Sequence, residues 1–276
     1  MAQRESGTFS SSPLRPMQYW EDRARRYAAQ GQGLAAVCSY GMPTFYNSAI
    51  QLTQRLALKA WLQDTLGKRI LDVGCGVGRW SRWMAAQGGE VTGVDLSNTM
   101  VVEATRRAAE EGLADRCHFL VQDLAELSTG SQYDFILGVT VLQHILEEDR
   151  FHSSVRCLAD HLAPNGRMVL IEAAPAYKNS CCDTAIFQAR TLDTYITAFA
   201  ECGLKTEAVT GVDPTPLKIW FLPYYGRLPR SLALLGLAIV TAVSLPMDAF
   251  LGRHCVNWSW HKLFVIRHKE RNRDAA

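Results

Sequence analysis

The sequence has almost no excess of charge: 29 basic and 27 acidic residues leave a formal net charge of +2. Its basic residues are scattered apart from the run Arg267 to Arg273, so composition gives no electrostatic footprint for nucleic acid. There is no C-x-x-C pair, and the adjacent Cys181 and Cys182 have no counterpart elsewhere, which excludes the usual zinc and thioredoxin-type patterns. His144, His152 and His161 recur at spacings of helical or surface residues, and no metal site is expected. The first dozen residues lack the apolar centre of a secretory signal, and most cysteines fall inside expected strands, helices or turns. A reduced, cytoplasmic setting is therefore expected. No internal repeat or low-complexity tract is visible. The longest apolar stretch, Leu232 to Leu245, stops at Pro246, short of the ~20 residues a membrane span needs.

What is present is concentrated in Arg69-Ile70-Leu71-Asp72-Val73-Gly74-Cys75-Gly76-Val77-Gly78-Arg79. An apolar strand runs into glycines at alternate positions and then into a helix, an arrangement that lets backbone approach a ligand closely. A dinucleotide turn, G-x-G-x-x-G, would carry its third glycine where Arg79 stands, so the pattern here is D-x-G-x-G-x-G. After a helix over 79–87, Glu90 to Ser97 reads as a second strand ending in Asp95. In α/β nucleotide folds that place holds the acid that takes the ribose hydroxyls. A third strand, 117–122, leads to Asp123-Leu124. A fourth, 133–138, leads to Val139-Thr140-Val141-Leu142-Gln143-His144-Ile145, and Pro164-Asn165-Gly166 precedes a fifth ending in Glu172.

This succession resembles the class I S-adenosylmethionine (SAM) dependent methyltransferases of the small-molecule type, similar to quinone, sterol and natural-product methyltransferases. The resemblance implies an α/β, Rossmann-like fold with a seven-stranded, mostly parallel sheet in the order 3-2-1-4-5-7-6. The sixth and seventh strands, 204–210 and 261–267, would pair antiparallel at its edge. It also implies SAM as cofactor, bound by Asp72, Gly74, Cys75, Gly76, Gly78, Asp95, Leu96, Asp123, Leu124 and Val139. In that scheme Asp95 takes the ribose, Asp123-Leu124 the adenine amino group, and Asp72 orders the glycine loop and reaches the methionine amino group.

Around this core the chain divides into a disordered start (1–16) and one domain (17–276). The domain consists of a helical cover (17–66), a SAM-binding core (67–175) and a C-terminal part (176–276). The cover is expected to hold helices over 17–30 and 47–66, the second capped by Gly67. The chief departure from the family pattern is the long insertion 211–260, with the aromatic run Trp220 to Tyr225 and the apolar stretch stopped by Pro246. That stretch should be a helix: a lid, a membrane-surface or an oligomer-forming helix, with contact to a membrane or a second copy of the chain through 228–251, or else a plain core helix, a membrane span being the alternative that length and flanks count against.

His144 is the leading candidate for a general base or orienting group, since an imidazole near pKa 6.5 suits proton removal at neutral pH. Glu172, and behind it Tyr177 and Asp183, occupy similar rim positions, and the sequence does not choose between them. Aromatic segments at 40–46 and 220–225 point to a largely hydrophobic acceptor: aromatic, polyketide, isoprenoid or lipid-like, methylated on O, N or C. The alternatives are a SAM-binding cyclase or isomerase, a non-catalytic subunit, or a protein methyltransferase, since the Val-Leu-Gln-His-Ile run also resembles protein N-terminal methyltransferases.

Overall fold

Alternation of short apolar runs with amphipathic segments builds a sheet covered by helices on both faces. The structure is a computed structural model that describes residues 16–177, 183–215 and 217–269. The expected disorder of 1–16 and the pair Cys181-Cys182 therefore fall outside the described residues, except for Pro16. The strands are β1 (Arg69–Val73), β2 (Glu90–Asp95), β3 (Cys117–Val121), β4 (Tyr133–Val139), β5 (Leu162–Ala173), β6 (Leu204–Gly211) and β7 (His261–His268). They form one sheet in the order β3-β2-β1-β4-β5-β7-β6, parallel except that β7 runs antiparallel to both β5 and β6.

Between the strands run α4 (Arg79–Ala85), α5 (Asn98–Glu110), α6 (Glu148–His161) and α7 (Leu192–Glu201). Ser97 Oγ accepts from Met100 N and caps α5, and Thr191 Oγ1 does the same for α7. One sheet face packs Phe151, Tyr195, Phe199 and Phe264, the other Trp80, Met84, Leu137 and Leu263. Burial of these side chains is the main stabilising term, about 1.5–3 kcal/mol for each large one.

The cover comprises α1 (Pro16–Tyr27), α2 (Leu34–Val37) and α3 (Thr44–Lys59). Arg107, paired with Glu103 at 2.6 Å on α5, also donates to Ala28 O and Gly31 O and so fastens the cover to the sheet layer. Two expectations are corrected here. The helix expected over 47–66 starts at Thr44 and ends at Lys59, because the chain turns at Ala60 and drives Leu62 into the core. Gly67, with φ +66°, serves the turn into β1.

The second correction concerns the insertion, which holds α8 (Leu217–Tyr225) and α9 (Arg230–Leu251). The helix α9 does not stop at Pro246 but runs through it. Pro246 is exposed, so its ring meets no packed neighbour and the helix continues past it. The two helices cross closely at Gly236, where a Cβ would lie 2.6 Å from the Phe221 ring.

Candidate functional site

The carboxyl ends of β1, β2 and β4 open beneath α1 and α3 onto one cavity of about 780 Å³. Gly74 and Gly76 shape its floor. Both have positive φ, and a Cβ would lie 2.5 Å from Val141 at Gly74 and 2.4 Å from Val37 at Gly76. Only glycine fits that turn, which presses backbone toward whatever the cavity holds.

Asp95 ends β2 at the cavity wall. Its Oδ2 accepts from Gly76 N at 2.8 Å and its Oδ1 from Ser97 N at 2.9 Å, so the carboxylate ties the glycine turn to the start of α5. Burial pushes its pKa up, while the Ser97, Gly76 and Leu96 amides act to keep it ionised. A carboxylate offers about four acceptor positions, so capacity remains for a ligand's hydroxyls. Asp72 is buried and accepts from Ser81 Oγ at 2.5 Å, and burial raises it to about 7.

Cys75 borders the cavity, but its amide is already bonded to Val94 O and burial pushes its thiol well up, so it is no nucleophile. Leu96, Leu124 and Val139 also border the cavity. Gly78 does not. It opens α4 with φ +70° and lets that helix pack on Phe119 and Ala104, so its role is structural. Asp123 is on the rim, yet Oδ1 caps Ala125 N at 3.0 Å and Oδ2 pairs with Arg150, leaving it less free than expected.

The catalytic candidates separate clearly. Glu172 is fully buried and does not border the cavity. Its oxygens accept from Val141 N, Leu142 N and Gln143 N at 2.9–3.1 Å, although burial raises it to about 7. It is a positioning residue for the loop after β4, where Thr140 holds the unusual φ of +58°. Tyr177 is exposed and Asp183 Oδ1 accepts from Ala189 N; neither borders the cavity. His144 does border it, edge-on to Trp20, with Nδ1 donating to Ile186 O at 2.6 Å. Burial lowers it to about 4, so it is a neutral ring at pH 7 and a poor base.

Sequence reasoning passed over His261. It opens β7 at the cavity edge, with its Nδ1 2.7 Å from Asp213 Oδ2 and its own amide donating to Asp213 Oδ1 at 2.7 Å. Burial alone would raise Asp213, but the His261 ring and Lys218 outweigh it and hold the carboxyl below its ordinary value. Asp213 follows β6, and β6 pairs antiparallel with β7, so the two ends meet across the sheet edge. That topology was the available signal. Arg79 was also missed as a site residue. It reaches the cavity beside the glycine turn, with Nη2 donating to Gln54 Oε1 at 2.9 Å. Among the described residues there is no cluster of three or more metal-ligating side chains.

Residues 70–166 match the family described as methyltransferase domain. The ubiquinone biosynthesis O-methyltransferase of Rickettsia conorii is 30% identical over 128 residues, 45% of this chain and 43% of that protein. The chain thus spans less than half the length of the curated relatives it matches. Among solved structures, the magnesium protoporphyrin IX methyltransferase of Synechocystis with bound SAM superposes with a TM-score of 0.59. It is 18% identical and covers 95% of this chain and all of that one. The [4+2]-cyclase SpnF superposes at 0.55 with 19% identity, covering 80% of this chain and 82% of that one. At such identities the likeness concerns the fold, which serves more than one chemistry.

Proposed function

We propose that this chain, whose residues 70–166 match a methyltransferase domain, is a class I SAM-dependent enzyme that methylates a hydroxyl of a hydrophobic small molecule with His261 as general base. The observation that carries this reading is that His261, paired with Asp213 behind it, borders the same cavity as the glycine turn and Asp95. SAM, when bound, supplies an electrophilic methyl group on a cationic sulfonium.

The chain's own residues fit that cofactor. The absence of a Cβ at Gly74 and Gly76 lets the turn pack against Val141 and Val37 and bring its backbone to the cavity, Asp95 keeps acceptor capacity for hydroxyls, and Arg79 offers a cation to a carboxylate. On the acceptor side, Met17, Trp20, Tyr46 and Ile50 make the wall apolar. Burial, with Asp213 and Asp248 adding to it, raises Tyr46 to about 12, so its hydroxyl stays protonated as a donor. His261 donates from Nδ1 to Asp213, which leaves Nε2 as the acceptor for the hydroxyl proton. The imidazolium so formed rests against an ionised carboxylate. Such a base contributes typically ~10²–10⁴-fold. A phenolic or hydroquinone-type hydroxyl on a greasy skeleton suits this wall, in keeping with the ubiquinone-pathway relative.

Incubation with methyl-labelled SAM and a panel of prenylated phenols and catechols tests the reading. The expected outcome is label in an ether-linked methyl group. The variant His261→Gln should lose at least ~10²-fold in kcat. Its SAM affinity should stay within ~3-fold of wild type. Product without added mass would instead favour a cyclase or isomerase, and an unchanged kcat in His261→Gln would remove the base assignment.

A further inference from the structure

The helix α9 is patterned inside out. Its buried positions, Ala233, Leu237, Thr241, Ser244 and Asp248, include most of its polar groups. Asp248 accepts from Thr215 N, Thr215 Oγ1 and Lys218 Nζ, which pins the helix to the domain. The opposite face shows Leu232, Leu235, Ile239, Val243, Met247 and Phe250 to solvent, with Ile239 56% and Phe250 78% exposed. These recur every three or four residues and so form one continuous stripe. Trp220 and Tyr224 on the adjoining α8 and Trp258 just beyond α9 are exposed as well, the first 66% and the last 78%. An apolar surface of this extent is not stable in water as an end state.

The charges around the stripe decide what covers it. Between Val212 and Trp260 the acids are Asp213 and Asp248 alone, and both are turned inward onto partners. The exposed charges are all cationic: Arg227 and Arg230 at one end of α9, Arg253 at the other. The helix α3, against which α9 packs, also has no acidic residue. In a two-fold pair of copies across this stripe, arginines would face arginines with no carboxylate to neutralise them. An anionic bilayer supplies the missing negative charge, and tryptophan and tyrosine at the ends of an apolar face match its headgroup boundary. At 22 residues α9 is, by length and composition, long and apolar enough to cross a membrane, unlike the shorter stretch read from the sequence. Because the domain covers one side of it from Ala233 to Asp248, the arrangement favours a helix lying along the protein at the bilayer surface.

We infer that α8 and α9 form an interfacial docking surface for a membrane containing anionic lipid, with the stripe in the acyl boundary and the three arginines among the headgroups. Vesicle flotation tests this on the full chain, using phosphatidylcholine with or without phosphatidylglycerol. Wild type should float with the mixed vesicles and several-fold less with neutral ones. Reversing the exposed charges in R227E/R230E/R253E should reduce the bound fraction at least ~10-fold while SAM binding persists. L235S/I239S/F250S should lose binding to both vesicle types. If that variant does not fold, the charge variant, which touches no buried group, decides alone. The inference is overturned if wild type fails to float with either vesicle, or if charge reversal leaves flotation unchanged. It is also overturned if sedimentation shows a wild-type dimer that L235S converts to monomer.

Discussion

Glu21 and Ser97 are joined by a 2.7 Å hydrogen bond across 76 residues of sequence, which ties the first helix of the cover to the turn after Asp95. Thr99 adds its amide at 3.2 Å and its hydroxyl to the same carboxylate. Glu21→Ala should release α1 from the cavity mouth and weaken SAM binding by about tenfold, since hydrogen bonds to a charged acceptor contribute roughly 1.5–3 kcal/mol. Burial opposes ionisation of Glu21, but its bonds from Thr99 and Ser97 prevail and its pKa is lowered. The latch is therefore fully made above pH ~4.5 and is lost as pH falls through the lowered folded-state value. Titration calorimetry at neutral pH checks the first part, and unchanged affinity would mean that the cover does not close over the cofactor.

Asp95→Asn replaces an oxygen that accepts a loop amide with an NH₂ group that cannot. One of the Gly76 and Ser97 amides then loses its acceptor, and a ligand's hydroxyls face a weaker one. SAM affinity should fall at least ~10-fold, because one lost charge-assisted bond is enough for that. Hydrogen exchange of Gly76 should also quicken in the free protein. Wild-type affinity would remove Asp95 from the cofactor site.

His144 provides a pH signature. Burial lowers its folded-state pKa to about 4, below the ordinary 6.5. The unfolded chain therefore binds a proton more readily across that window. Its stabilising contribution is whole above pH 6.5 and is lost as pH falls toward 4, by up to about 3 kcal/mol. The gap in Tm between wild type and His144→Gln should narrow steadily on acidification. A gap independent of pH would show that the ring is not held neutral by burial.

Glu172→Gln tests the loop after β4. The carboxylate meets three backbone amides, and an amide side chain presents its own NH₂ to one of them. A buried donor left facing a donor costs roughly 1–3 kcal/mol. We expect a Tm drop of a few degrees, consistent with that cost in a chain of this size. KM for the acceptor should rise, while the chemical step keeps its pH profile. A shifted profile at unchanged stability would restore Glu172 as a proton-transfer group.

Much of this molecule was legible in the sequence because its sheet is built from local signals. Most strands of the core are apolar runs closed by glycine, aspartate or a helix start, and Asp72, Gly74, Gly76 and Asp95, the positions singled out by the family resemblance, border the cavity. The end of α3 was not legible, since Trp61, Leu62 and Leu66 continue a helical-looking period although the chain has already turned. Pro246 misled for a similar reason: whether a proline breaks a helix depends on which side faces solvent, and only tertiary structure sets that. Gly78 looked like its neighbours but packs against Phe119. Asp213 and His261 lie 48 residues apart, and no periodicity links them.

That separation has a mechanical meaning. The polypeptide leaves the sheet edge at Asp213 and returns to it at His261, so this hydrogen-bonded pair forms the two feet on which the α8–α9 hairpin stands. A tilt of the hairpin as a body would load those feet and the contact of α9 with α3. The proposed base and the exposed hairpin are therefore coupled through one hydrogen-bonded pair at the cavity rim.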